Sequence, residues 1–160
     1  VTLQARCLAY LVLVHRRQAH DAEVEAHAQR GLAVAMTAGM FDYMGASQAG
    51  LAWMAWRRGD LAETQSLAQA AMESWRRLAT PYPLRWQALW PLIGVALAQD
   101  RPAEAIAFAR QICDPGQQVV PPVLEESLVA ALTVWDAGQG CQAHDLLQRA
   151  LATAQQMNFS

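Results

Sequence analysis

His20, Glu23 and His27 fall at helical spacing and could present two imidazoles and a carboxylate to a divalent metal. Three ligands with no distant fourth fit a solvated helix start better, because a structural zinc site closes with four. Cys141 and His144 would make half of a zinc site, and no second pair lies within a plausible span. Glu125 and Glu126 resemble an acid–base pair, yet adjacent helical residues point to different faces, and acids near a helix start favour the macrodipole. The chain has no Gly-x-Gly-x-x-Gly run, no Gly-x-Ser-x-Gly elbow and no His-Glu-x-x-His helix. All 12 basic residues are arginine, which excludes a Schiff-base lysine and the lysine of a phosphate-binding loop. The expectation is a protein that is not an enzyme, with no metal and no cofactor.

The elements behind these residues repeat. Four segments share one layout: an alanine-rich apolar stretch, a short break, then a second alanine-rich stretch with more charge. The breaks are Arg17-Gln18-Ala19-His20, Arg58-Gly59-Asp60, Gln99-Asp100-Arg101-Pro102 and Ala137-Gly138-Gln139-Gly140, about every 40 residues. Alanine, leucine, glutamine, glutamate and arginine favour helix, and no segment alternates as a strand. The periodicity predicts helices over about 3–18, 21–38, 42–57, 60–78, 84–99, 102–113, 122–137 and 140–157. Asp60-Leu61-Ala62-Glu63 has the form of a capping box, and Pro102 suits a first helical turn. Gly39, Thr80-Pro81-Tyr82-Pro83 and Asp114-Pro115-Gly116 separate the helix pairs.

At 54% hydrophobic and 16% charged over 160 residues, the chain can bury a continuous core. A net charge of −2 leaves no basic footprint for nucleic acid, so no direct nucleic-acid partner is expected. Three widely spaced cysteines imply no disulfide framework and fit a reducing cytoplasm. No uncharged apolar run is long enough to span a membrane, so no membrane partner is expected. The start at Val1, with neither methionine nor signal-peptide pattern, reads as a piece of a longer protein.

The segment Gly50-Leu51-Ala52-Trp53-Met54-Ala55-Trp56-Arg57-Arg58-Gly59-Asp60, followed by Ala62-Glu63, Ala68 and Ala71-Met72, resembles a tetratricopeptide repeat. The fourth segment matches through Ala131, Gly138, Ala143, Ala150 and Leu151. The third matches through Ala105 and Ala109, with Asp100 in place of the turn glycine. The first carries Val12, Ala19, Val24, Ala28 and Gly31 at the corresponding places. The units are longer than the family's 34 residues. In that respect they are similar to the C-terminal arrays of large bacterial regulators that also carry an ATPase domain and a cyclase-like or helix-turn-helix output domain.

The resemblance implies an all-α solenoid of about four helix pairs in a right-handed superhelical stack. It would form a single domain over 1–160, with repeats at approximately 1–39, 40–80, 81–118 and 119–160. It also implies a cytoplasmic scaffold binding a protein or peptide, possibly another domain of its parent; the other reading is a sensor holding a small molecule or short peptide. Transferring the family's concave-groove register places Tyr10, Arg16, Trp53, Trp56, Arg57, Trp90 and Trp135 in the partner-binding groove. Tryptophan and arginine dominate binding hot spots, whereas packing between helix pairs is the competing role for such rings. Trp75, Trp86 and part of Trp90 are expected in the core. A solenoid also leaves apolar faces at uncapped ends, which predicts self-association through the first or last helix pair.

Overall fold

The computed structural model describes residues 1–159, and among these there are eight α-helices and no strand. They are α1 (Thr2–Arg17), α2 (Asp21–Ala38), α3 (Phe41–Arg57), α4 (Leu61–Arg76), α5 (Trp86–Ala98), α6 (Pro102–Ile112), α7 (Pro122–Asp136) and α8 (Gly140–Gln156). The all-α class and every expected helix are present, with ends shifted by two residues or fewer. Where 1–160 was expected as one domain, the chain divides into two compact units, Val1–Tyr82 and Pro83–Ser160. The division falls in the Thr80-Pro81-Tyr82-Pro83 break, where proline can neither continue a helix nor donate a backbone bond.

One turn geometry recurs in all four helix pairs. Ala19, Gly59, Asp100 and Gly138 each take a left-handed conformation, with φ of 55, 76, 53 and 77°. In each, the next amide reaches back five residues: His20 N–H to His15 O at 3.0 Å, Asp60 to Ala55 at 3.0 Å, Arg101 to Ala96 at 2.8 Å and Gln139 to Val134 at 3.1 Å. This is the Schellman closure of a helix C-terminus. Asp100 thus occupies the conformation that glycine holds in the second and fourth units. The helix that follows starts at once. After Gly59, the Asp60 carboxylate accepts from Glu63 N–H at 2.9 Å, the N-cap half of the expected capping box. The reciprocal half is absent: the Asp60 amide is already bonded to Ala55, and the Glu63 carboxylate pairs with Arg58 at 3.3 Å.

In the first unit α1 packs on α2, α2 on α3 and α3 on α4, while α1 also meets α3. Close approach depends on small residues. Ala28, Ala52 and Ala68 are fully buried, and a Cβ at Gly50 would lie 2.5 Å from Val12 Cγ1. The second unit is arranged differently. There α5 meets α6 and α8, and α7 meets α6 and α8. In α5 every residue from Trp86 to Leu97 is buried, and since Gln87 alone among them has a polar side chain apart from the indole N–H groups, the helix has no polar face for water. Its start is tied down from the α6–α7 loop. Gln117 Oε1 accepts from Arg85 N–H at 3.1 Å, Gln118 Oε1 accepts from the Trp86 indole at 3.1 Å, and Gln118 N–H donates to Pro83 O at 2.8 Å. Phe159, just past α8, closes on Trp86 at 4.7 Å between ring centroids. Ala105, Ala109, Ala143 and Ala150 are fully buried.

Candidate interaction surface

The expected groove residues separate into two groups. Arg16, Trp53 and Trp90 have no exposed surface, so they cannot touch a partner in this conformation and belong to the core. Tyr10 is 54% exposed, Arg57 is exposed, and Trp56 and Trp135 are half-buried. Position along the helix separates Trp53 from Trp56. Trp53 sits a full turn inside α3 and packs with Val12, Val24, Ala28 and Met54, whereas Trp56 lies in the last turn, beside the exposed Arg57 and Arg58. Trp90 lies mid-way along α5, whose whole circumference is buried. Trp75 and Trp86 are both buried, as expected of core rings.

Three of the named residues do come together. The guanidinium of Arg16 lies 5.5 Å from the centre of the Trp53 ring and that of Arg57 lies 4.9 Å from it, both within cation–π range. Arg57 is held by Asp21 at 3.1 Å, from the first turn of α2. Burial pulls the Arg16 guanidinium down to about 9, and the neighbouring charge of Arg17 acts in the same direction. Arg16 therefore stays a buried cation at neutral pH, a core feature rather than a docking point. In the second unit the Trp135 ring lies 3.7 Å from where a Gly140 Cβ would be, and Asp136 beside it pairs with Arg110.

A tyrosine cluster in the first unit is not apparent from spacing. Arg6 lies over the Tyr10 ring at 5.7 Å. Burial raises the Tyr43 phenol above its ordinary value; Asp42 and Tyr10 add to this and Arg6 opposes it. Burial also raises Tyr82, helped by Asp42, Tyr10 and Tyr43. Tyr82 stacks on Trp75 at 4.6 Å. The Pro81-Tyr82-Pro83 break was legible as a boundary, but nothing in its spacing places Tyr82 beside residues on α1 and α3.

The histidines also regroup. His15 Nδ1 is 3.3 Å from His20 Nδ1, and the His15 and His27 rings stack at 5.3 Å. Glu23 is not part of this set, and among the described residues no three His, Cys, Asp or Glu side chains are arranged to hold a metal ion. A cavity of about 90 Å³ lies between Cys113, Asp114, Gln118, Val120 and Glu125, well below the volume of an ordinary small-molecule site. Burial, with Glu125 nearby, pushes the Cys113 thiol up, away from reactive thiolate.

On α8, Ala143, Leu147, Ala150, Leu151 and Ala154 are buried within the fold and Leu146 is half-buried. On α1, Leu3 is 72% exposed, Val14 49% and Leu11 39%. No helix is long and apolar enough to cross a membrane among the described residues. No protein-family model, curated protein or solved structure matches this chain.

Proposed function

We propose that this chain is a non-catalytic interaction and scaffolding module of tetratricopeptide-like helix pairs. In this reading it serves as the cytoplasmic regulatory repeat region of a bacterial multidomain signalling ATPase or transcriptional regulator. The observation that carries the proposal is the recurrence of one left-handed turn at residues 19, 59, 100 and 138, each joining two helices packed through fully buried alanines. Repeated helix pairs put their side chains into packing and recognition surface rather than into a catalytic constellation. Tyr10, Trp56 and Arg57 in the first unit, and separately Trp135 in the second, keep exposed surface that a protein or peptide partner would meet. A small-molecule sensor draws less support, since Trp53 and Trp90 are each closed into the core and offer no ring to a ligand.

Site-specific photo-crosslinking from positions 57 and 136 in the full-length parent protein tests this reading; amine-reactive reagents have no lysine side chain to attack. Cross-links to another domain or to a bound protein, lost with Trp56→Ala and Trp135→Ala, are expected. Cross-links only within the array, together with thermal stabilisation by a metabolite, would favour the sensor instead.

A further inference from the structure

α1 carries two apolar faces. Ala5, Leu8 and Val12 point into the fold and are buried. Leu3, Cys7, Tyr10 and Val14 are exposed, with Leu11 at their edge. At 100° per residue the exposed set lies opposite the buried set. Its spacing of four, three and four residues is the a/d seam of a helix that packs along another helix. The inner face already has its partners in α2 and α3, so the outer stripe is a separate surface.

Charge defines what fits there. Between Thr2 and Arg17 there is no acidic residue, and Arg6 and Arg17, both exposed, flank the stripe on its Tyr10 side. Arg6 leans over the Tyr10 ring and is in no ion pair among the described residues. A second copy of α1 laid antiparallel would match the apolar spacing but bring arginine-bearing, acid-free helices together. A membrane surface calls for a wide apolar face with bulky rings rather than a seam about one residue wide. We infer that the outer face of α1 docks an amphipathic helix of another protein whose apolar seam is flanked by glutamate or aspartate. This rests on the reading of the chain as an interaction module but uses a surface separate from Trp56 and Trp135.

The test uses synthetic helical peptides of about three heptads with leucine at a and d, one bearing glutamate and one lysine at e and g. Fluorescence anisotropy should show saturable binding of the glutamate peptide, weakening as salt rises, with the lysine peptide at least about tenfold weaker. Leu3→Gln with Val14→Gln changes only exposed side chains and should lower affinity at least about tenfold while circular dichroism stays unchanged. Arg6→Glu with Arg17→Glu should exchange the two preferences; Arg6→Glu alone should narrow them if the double variant unfolds. Equal binding of both peptides, no saturation, or binding indifferent to Leu3→Gln/Val14→Gln would overturn the inference. So would partition onto phosphatidylserine–phosphatidylcholine vesicles in preference to the peptide, or a dimer cross-linked through Cys7. Trp56→Ala and Trp135→Ala should leave peptide binding intact, so failure here is read separately from failure of the groove.

Discussion

The indole of Trp75 lies flat enough against α3 that a Cβ at Gly45 would fall 2.5 Å from its Cε2 atom. The ring cannot retreat. Its N–H donates to Asp42 O at 3.1 Å, and Tyr82 stacks on it with an interplanar angle of 13°. Gly45→Ala should therefore destabilise by about 1–3 kcal/mol through overpacking, although alanine is the better helix former by about 1 kcal/mol. Urea unfolding followed by tryptophan fluorescence would read this; a gain in stability would show that α4 is free to shift.

Trp53 and Trp56 lie three residues apart, a spacing that puts both near one face of α3. The structure predicts a split. Trp53→Ala removes a fully buried ring from the α1–α2–α3 core and should cost about 3–5 kcal/mol. Trp56→Ala should cost about 1 kcal/mol or less. Thermal melts of the two single variants suffice, and equal losses would contradict the placement of one or both rings.

The four turns offer a test of the repeat itself. Ala19 and Asp100 hold a left-handed backbone that costs a non-glycine residue about 1–2 kcal/mol, part of which glycine loses again in unfolded-state entropy. Ala19→Gly and Asp100→Gly should each stabilise by about 0.5–1 kcal/mol. Gly59→Ala should lose about 1 kcal/mol for backbone reasons alone, since a Cβ there meets nothing within 4 Å. Gains at 19 and 100 with a loss at 59 in denaturant midpoints would tie the repeats to one geometry, and the reverse sign at any of the three would untie them.

Arg16 supplies a pH dependence. Its guanidinium titrates near 9 in the folded chain, well below its value in water, so below pH 9 it is charged in both states and folding carries the whole cost of burying the charge. Between those values the folded protein has released the proton while the unfolded chain keeps it. The unfolded state then binds more protons, and stability rises with pH by up to about 1.4 kcal/mol per unit. Urea midpoints compared from pH 8 upward should show that rise in the native chain relative to Arg16→Met. Parallel curves for the two proteins would remove Arg16 as its source.

Asp60 and Glu63 separate the halves of a capping box. Asp60→Ala should cost about 0.5–2 kcal/mol, because it frees the Glu63 amide at the start of α4. Glu63→Ala loses only an exposed ion pair with Arg58 and should cost less than about 1 kcal/mol. Equal losses in thermal melts would mean that Glu63 also caps the helix.

Helices, turns and small-residue contacts were legible in the sequence because they answer to local rules. Alanine-rich periodicity marks a helix, Gly-Asp marks a stop and a restart, and alanine at a repeat position must sit where helices touch. Asp100 could be assigned to the turn because Ala105 and Ala109 follow it as Ala143 and Ala150 follow Gly138, at small-residue positions of the next helix. The fate of the aromatic rings was not local. Trp53 and Trp56 share spacing and residue type, and only the packing of α1 and α2 across α3 closes over one and leaves the other at the helix end. The same holds for α1: both of its faces are apolar, periodicity cannot say which is turned inward, and the burial of Ala5, Leu8 and Val12 leaves Leu3, Tyr10 and Val14 to water. Gln117 and Gln118 carried no signal at all, since a loop glutamine becomes a cap only when the fold brings a helix start within reach.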